Sequence, residues 1–254
     1  MRISIGAILL ALSVQQPIPP PVPNCPELAT AMTTLVRNDA RMRDWGNLTR
    51  YREANRALPP TDGGIRVVFM GDSITDLWPQ RVPEFFAGKP YVGRGISGQT
   101  TPQMLVRFRR DVIELKPAVV VILAGTNDIA GNTGPLTDDE IEGNLASMAE
   151  LAKANGIRVV LASITPVSAY HTSPSGIAQT SARPMARIQA INAWIKDYAA
   201  TNGHVYLDYF SAMVDASGVL QTELSSDDLH PNPKGYAVMG PLAEAAIRRA
   251  TGGR

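Results

Sequence analysis

The sequence contains a single cysteine, Cys25, and only three histidines. One cysteine cannot form an intrachain disulfide, so the fold has to be stabilised by its hydrophobic core. Neither a CxxC pair nor an HExxH motif occurs, and these are common spacings of zinc ligands. We therefore expect no metal and no other cofactor.

An excess of charge of one sign is also absent, because 24 Lys and Arg residues are balanced by 23 Asp and Glu residues. The densest basic cluster, "RFRR" at 107–110, lies in a stretch with helical spacing. Such a cluster is typical of a solvated helix face, and we find no interleaving of aromatic and basic residues that would suggest nucleic acid. We expect no nucleic-acid partner.

The apolar stretch near the start, "ISIGAILLALSV" at 3–14, is too short to span a bilayer. It follows Arg2 and ends in small residues, which is typical of a signal peptide, here residues 1–13. Residues 14–25 are rich in proline and predict a stiff spacer. The signal-peptide pattern predicts an exported protein, periplasmic or secreted. The residues before Cys25 do not form a lipoprotein cleavage box, so we expect no stable membrane anchor.

The rest of the chain alternates between strand and helix patterns. Apolar runs predict five strands, at 66–70, 91–93, 118–124, 157–164 and 204–208. The runs are continuous, as expected of parallel strands that are covered on both faces. Apolar residues at helical spacing lie between them, at 101–115, at 138–154 and around 188–198. The pattern predicts an α/β fold, a three-layer α/β/α sandwich around a doubly wound, mostly parallel five-stranded sheet of the flavodoxin-like kind.

This predicted sheet occupies residues 65–254, and residues 26–64 have the composition of an N-terminal helical extension. Ser73 lies just past the carboxyl end of the first predicted strand, in "IRVVFMGDSITD" at 65–76. Ligands of doubly wound sheets bind beyond the carboxyl ends of the strands, so Ser73 lies where a ligand is expected. Asp227 and His230 are three residues apart, close enough for the carboxylate to hold the imidazole. A nucleophile, a base and an orienting group are therefore all available.

Four motifs in this region resemble the sequence blocks of the SGNH hydrolases, which are also called GDSL esterases or lipases. They are "GDSIT" at 71–75, "GISGQTT" at 95–101, "GTND" at 125–128 and "DDLHPN" at 227–232, and they occur in the order and spacing of that family. The resemblance covers roughly residues 65–250 and implies the SGNH hydrolase fold. Asp228 stands where a glycine is frequent in the family, which leaves the conformation of this turn open.

The resemblance assigns roles to five residues. It implies that Ser73 is the nucleophile and that Asp227 and His230 complete a catalytic triad. The oxyanion hole is then formed by Ser73, the backbone N–H of Gly98 and the side-chain amide of Asn127. These residue types suit acyl transfer, because a serine needs a base and a tetrahedral intermediate needs fixed donors.

Two other interpretations, a dinucleotide-binding site and an α/β-hydrolase, have less support in the sequence. "GRGISG" at 93–98 matches the dinucleotide-binding pattern GxGxxG, but no acidic residue follows at 116–120, where the ribose would require one. The GxSxG motif of α/β-hydrolases does not occur. The alternatives left open are an acyltransferase that uses the same acyl-enzyme, and a non-catalytic carbohydrate- or acyl-binding module on the same fold.

The expected substrate is a small-molecule ester or an acylated carbohydrate. The segments that border the site are polar and rich in small residues, which favours esters from acetyl to butyryl. The long loop at 166–184 has the composition of a binding loop. Candidate substrate contacts are Asp72, Trp78, Ile129, Tyr170 and His171.

Overall fold

The structure is a computed structural model that describes residues 26–61, 65–171 and 176–252. The predicted signal peptide, the proline-rich spacer and Cys25 lie outside the described residues. The chain divides into two units, residues up to Arg43 and residues from Asp44 onward. The described part of the first unit is one helix, α1, and the second unit contains the sheet.

The described residues form five strands and ten α-helices. The strands are β1 (Val67–Gly71), β2 (Tyr91–Gly95), β3 (Val119–Leu123), β4 (Arg158–Ala162) and β5 (Val205–Leu207). The helices are α1 (Pro26–Arg43), α2 (Arg52–Arg56), α3 (Ser73–Arg81), α4 (Thr101–Asp111), α5 (Thr126–Ile129), α6 (Asp138–Ala154), α7 (Gln179–Ala182), α8 (Met185–Asn202), α9 (Phe210–Met213) and α10 (Pro233–Thr251). Short 3₁₀ turns occupy Pro83–Phe85, Ile113–Leu115 and Thr222–Leu224.

The five strands form one sheet in the order β2-β1-β3-β4-β5, and every neighbouring pair is parallel. Gly71, the last residue of β1, is in register with Gly95 of β2 and Leu123 of β3. The carboxyl ends of the three strands therefore meet at one edge, and the turns that follow them start side by side. This topology confirms the predicted fold class.

Side chains alternate between the two faces of the sheet and enter two separate cores. Val68, Val120 and Leu161 belong to a core that includes residues of α4, α6 and α8. Their neighbours Val67 and Val121 belong to a second core that includes residues of α3 and α10. Because both faces are buried, the strands read as continuous apolar runs, and the molecule has the three predicted layers.

The second unit begins at Asp44, twenty residues or so before the expected start of the domain at 65. Side chains and carbonyls of residues 44–58 hydrogen-bond to the sheet and to α4. Tyr51 Oη donates to the Gly95 carbonyl, and Asn55 Nδ2 donates to Asp111 Oδ1 at 2.8 Å. Asn55 Oδ1 accepts from Arg94 Nε at 2.7 Å. This part of the predicted extension is thus packed within the sheet domain.

The expectation of a solvated face at 107–110 is wrong for Arg107. Its side chain is fully buried, whereas Arg109 is exposed. The guanidinium donates to the Gly71 carbonyl at 2.9 Å, to Asp111 Oδ2 at 3.1 Å and to Gln99 Oε1 at 2.5 Å. A buried cation is tolerated only when it is paired and hydrogen-bonded, and these three acceptors meet that condition.

Among residues 26–61, 65–171 and 176–252, no helix combines the length and the apolar composition needed to cross a bilayer.

Candidate active site

Ser73 lies at the junction of β1 and α3, as the first residue of the helix. Asp72 caps this helix, since its Oδ1 accepts a hydrogen bond from Ile74 N at 2.9 Å. Gly71 allows the junction to be tight, because a Cβ at this position would lie 2.2 Å from Thr75 Oγ1 and 2.8 Å from the Leu123 carbonyl. The backbone N–H of Ser73 has no acceptor within its own helix and is available to a ligand.

The structure brings Ser73, His230 and Asp227 into one hydrogen-bonded chain. Ser73 Oγ lies 2.9 Å from His230 Nε2, and His230 Nδ1 lies 2.7 Å from Asp227 Oδ2. A carboxylate only accepts hydrogen bonds, so Nδ1 carries the proton and Nε2 accepts from the serine hydroxyl. This is the arrangement in which an imidazole can act as a base toward a serine.

The turn from 225 to 230 holds the Asp227 carboxylate firmly. Asp227 Oδ1 accepts from His230 N at 2.7 Å, from Leu229 N at 3.2 Å and from Ser225 Oγ at 3.1 Å. Partial burial acts to raise the pKa of Asp227, but the hydrogen bonds from the side chain and backbone of His230 outweigh it and hold the pKa well below its usual range. Asp227 therefore stays ionised when His230 needs a negative partner.

Gly98 and Asn127 supply donors at the same edge of the sheet. Gly98 adopts a φ of 80°, a region that L side chains rarely occupy, and its N–H has no hydrogen-bond partner among the described residues. Asn127 is 3% exposed and lies in α5, directly after β3. Its Nδ2 donates one hydrogen bond, to the Gln99 carbonyl at 3.0 Å, and so retains a second N–H.

Two buried carboxyl groups, Asp72 and Asp128, adjoin Ser73 and Asn127 in the chain. Asp128 Oδ1 accepts from Thr101 N at 2.8 Å and from Thr101 Oγ1 at 2.6 Å, which ties α5 to the start of α4. Burial raises the pKa of Asp128, and it raises the pKa of Asp72 to about 6. In both residues Oδ2 is buried without a hydrogen-bond partner.

Asp228 resolves the open question about the turn, since it adopts a left-handed φ of 65°. Its carboxylate binds the start of the 166–184 loop. Oδ1 accepts from Ser168 Oγ at 2.6 Å and lies 2.8 Å from His171 Nδ1, and Oδ2 accepts from His171 N at 2.8 Å. Tyr170 N also donates to Oδ1, at 3.2 Å. The loop segment 168–171 is thus attached to the turn that carries Asp227 and His230.

Of the predicted substrate contacts, Tyr170 and His171 are accessible, with Tyr170 half exposed. Trp78 and Ile129 are packed into the two cores, one in each, and are 2% and 7% exposed. Trp78 stacks between Phe85 and Tyr236, at 4.5 Å and 5.1 Å between ring centroids. On α3, Trp78 lies one turn after Ile74, and both side chains are buried on the same inward face.

Asp72, another predicted contact, is 1% exposed, and its carboxylate caps α3.

Sequence reasoning missed Arg183, which lies just before α8 and is 6% exposed. Its Nε donates to Thr126 Oγ1 at 3.0 Å and to the Thr126 carbonyl at 3.1 Å, and its Nη2 lies 3.4 Å from Asn127 Oδ1. Nothing in the loop sequence indicates this contact. Arg107 did carry a signal, because Asp111 follows it at the spacing of a helical ion pair.

In the described part of the chain, the side chains of His, Cys, Asp and Glu form no group of three that could hold a metal ion.

Residues 69–238 match the family model described as the GDSL-like Lipase/Acylhydrolase family. This match covers more than half of the chain, and it includes Ser73, Gly98, Asn127, Asp227 and His230. The chain belongs to this family, which confirms the resemblance of its four sequence blocks.

Known relatives agree with this assignment. A candidate acylhydrolase of Bacteroides fragilis is 47% identical, with a TM-score of 0.74, over 81% of this chain and 97% of that one. A GDSL-like lipase of Bacteroides thetaiotaomicron is 45% identical, with a TM-score of 0.75, over 81% of this chain and 98% of that one. Esterase TesA of Pseudomonas aeruginosa is 29% identical over 140 residues, which are 55% of this chain and 60% of that esterase. The match thus spans less than two thirds of the esterase.

Proposed function

We propose that the protein is a serine esterase that hydrolyses carboxylic esters through an acyl-enzyme. The observation that carries this proposal is the continuous chain from Ser73 Oγ through His230 to Asp227, with contacts of 2.9 Å and 2.7 Å. Each link has the donor and acceptor that general-base activation of a serine requires.

The reaction proceeds in two half-reactions. Ser73 Oγ attacks the ester carbonyl carbon while His230 Nε2 takes the hydroxyl proton, and the carbonyl oxygen becomes an oxyanion. The N–H groups of Ser73, Gly98 and Asn127 stabilise that charge. The intermediate then expels the alcohol, which receives the proton from His230, and leaves the acyl group on Ser73. A water molecule attacks this acyl-enzyme while His230 takes its proton, and the second tetrahedral intermediate then breaks its bond to Ser73 Oγ, which receives the proton from His230 as the acid is released.

Labelling with an organophosphonate tests the proposal, because only an activated serine reacts with it. We expect one phosphonyl group per chain, located on the peptide that contains Ser73, and a parallel loss of ester hydrolysis. Ser73→Ala should take up no label. Ser147→Ala, which alters a serine on α6, is the matched control and should label like the wild type. Label on a serine other than Ser73 would contradict the assignment.

We propose short acyl chains, from acetyl to butyryl, as the preferred acyl group. Four large apolar residues border the site in the sequence, Leu77, Trp78, Ile129 and Tyr170. Two of them, Trp78 and Ile129, have their side chains packed in the cores, which leaves little apolar surface for a long acyl chain. Each buried methylene contributes about 0.8 kcal/mol, and a site without a groove does not gain this energy from a long chain.

A series of aryl esters with acyl chains of two to twelve carbons tests this preference. We expect the highest kcat/KM at two to four carbons and a decline beyond them. A maximum at eight carbons or longer would contradict the proposal. Acetylated oligosaccharides, assayed by acetate release, test whether the natural substrate is an acylated carbohydrate, which the polar border of the site favours.

We also propose that the protein is exported, on the basis of residues 1–13 and the proline-rich spacer at 14–25. Cell fractionation after expression, with mass spectrometry of the mature N-terminus, tests this. Export predicts an N-terminus near Val14 in the fraction outside the cytoplasm. An intact Met1 in the cytoplasmic fraction would contradict it.

A further inference from the structure

The contacts of Arg183 connect the end of the 166–184 loop to the residue that supplies the side-chain amide of the candidate oxyanion hole. Its guanidinium binds three residues at once. Besides the two bonds to Thr126, Nη1 donates to Gln179 Oε1 at 2.5 Å, and Nη2 reaches Asn127 Oδ1 at 3.4 Å. The planar fork of an arginine is suited to this, because its donors have a fixed geometry.

From these contacts we propose that Arg183 is a positioning residue that keeps the Asn127 amide in the orientation that an oxyanion requires. The proposal rests on the proposed esterase function, since it concerns the same site.

The orientation of an asparagine amide is decided by its neighbours. Asn127 Nδ2 faces the Gln99 carbonyl, which is an acceptor, and Oδ1 faces Arg183, which is a donor. If the amide were flipped, two donors would meet at Arg183 and two acceptors at Gln99. Both contacts would then be repulsive, so the two neighbours together specify one orientation. In that orientation Nδ2 keeps one N–H for the substrate.

The burial of Arg183 supports a functional role. Among the described residues, no carboxylate lies within ion-pair distance of its guanidinium. Burial lowers the pKa of Arg183, and the charge of Asp72 opposes this effect. Burying a cation without a direct ion pair costs stability, and such groups cluster at functional sites. The positive charge also acts on Asn127 Oδ1, which strengthens Nδ2–H as a donor to a negatively charged oxygen.

Kinetics of Arg183→Gln test the proposal. We expect kcat to fall by roughly 10- to 100-fold with little change in KM, because the oxyanion exists only in the transition state. The matched control is Arg187→Gln, which breaks an ion pair with Asp138 in the same region and should retain the wild-type kcat. A change confined to KM would overturn the proposal.

The double variant separates positioning from a general structural effect. Asn127→Ala alone should lower kcat by roughly 10²- to 10³-fold, and adding Arg183→Gln should lower it little further, because Arg183 acts through Asn127. A multiplicative loss in the double variant would overturn the proposal. If Arg183→Gln does not fold, Arg183→Lys allows the same comparison. A lysine ammonium group cannot reproduce the simultaneous contacts of the guanidinium with Thr126, Gln179 and Asn127.

An NMR measurement that does not depend on enzymatic activity tests this proposal separately from the esterase proposal. The side-chain amide signals of Asn127 in a ¹⁵N NMR spectrum can be assigned by their loss in Asn127→Ala. We expect these signals to shift and broaden in Arg183→Gln and to stay unchanged in Arg187→Gln. Unchanged signals in Arg183→Gln would overturn the positioning role, whatever the activity of the wild type.

Discussion

At the scale of single residues, Ser73 and His230 share one proton and therefore act as a unit. Ser73→Ala and His230→Ala should each lower kcat/KM by on the order of 10⁴-fold or more, and the double variant should lose little beyond either change. Rates of ester hydrolysis for the three variants measure this non-additivity.

His204→Ala provides the histidine control, because His204 precedes β5 at the amino-terminal edge of the sheet, opposite the site. It should retain most of the activity. If Ser73→Ala kept as much as a tenth of the wild-type rate, a different nucleophile would be required.

Asp72 carries a second prediction at this scale, about stability and pH. Its pKa is raised to about 6, chiefly by burial, whereas an unfolded Asp has a pKa of about 3.9. Between these values the folded protein keeps a proton that the unfolded chain releases, so this group lowers the free energy of unfolding as pH rises. Asp72→Asn keeps an acceptor for Ile74 N and removes the buried charge. The free energy of unfolding of the variant, relative to that of the wild type, should therefore increase by about 1–3 kcal/mol as the pH rises from 4 to 7.

Urea unfolding of both proteins at several pH values measures this difference. Asp197→Asn, a change at an exposed position of α8, is the control and should show no such trend. A difference between Asp72→Asn and the wild type that does not vary with pH would contradict the raised pKa.

At the scale of structural elements, Asp228 connects the loop segment 168–171 to the turn that carries Asp227 and His230. Burial acts to raise its pKa, but the hydrogen bonds from Ser168 and His171 outweigh it, so the pKa is lowered and the carboxylate stays ionised into the acidic range. Asp228→Gly removes all of the side-chain contacts and relieves the left-handed φ. We expect the amides of Tyr170 and His171 to exchange with solvent roughly tenfold faster or more in this variant, since each loses its acceptor.

Hydrogen exchange detected by mass spectrometry measures this effect on the peptide that contains 168–171. Phosphonate labelling of Ser73 should persist in Asp228→Gly, because the contacts among Ser73, His230 and Asp227 do not involve the Asp228 side chain. Unchanged exchange of the two amides would mean that other contacts hold the loop segment.

At the scale of the whole molecule, residues 44–58 belong to the sheet domain, and Asn55 is the centre of their contacts. Its side chain bonds Arg94, Asp111 and the Arg110 carbonyl. Asn55→Ala should lower the free energy of unfolding by about 1–3 kcal/mol, because Arg94 Nε and Asp111 Oδ1, on two buried side chains, lose their hydrogen-bond partner. Arg52→Ala, at an exposed position of the same helix, should have little effect in the same urea titration. Equal effects of the two changes would contradict this role.

The sheet could be predicted from the sequence because burial on both faces leaves a local pattern. Helix α6 has the expected limits, 138–154, and each strand lies within a residue or two of its predicted position. The segment 44–58 could not be placed in the same way. Its contacts join residues far apart in the sequence, such as Asn55 and Asp111, and they depend on individual hydrogen bonds instead of an apolar period.

The residues of the candidate site likewise divide into those that the sequence predicts and those that only the folded structure reveals. Ser73, Gly98, Asn127, Asp227 and His230 could be selected because they occur in short motifs with a recognisable chemistry. The burial of Trp78 and Ile129 could not be anticipated from their place beside those motifs, since a residue next to a site can face the core. Arg183 lies 56 residues from Asn127 and in no motif, so only the folded chain relates them.

The position of Arg183 has a consequence for protein engineering. Exchange of the loop at 166–184 for a loop from a relative is an obvious way to change substrate preference. Such a graft would also remove the guanidinium that contacts Asn127, and turnover would fall even with substrates that fit the new loop. A graft that ends at Ala182 and leaves Arg183 in place separates the two effects, so the boundary of the exchanged segment decides whether the chimera stays active.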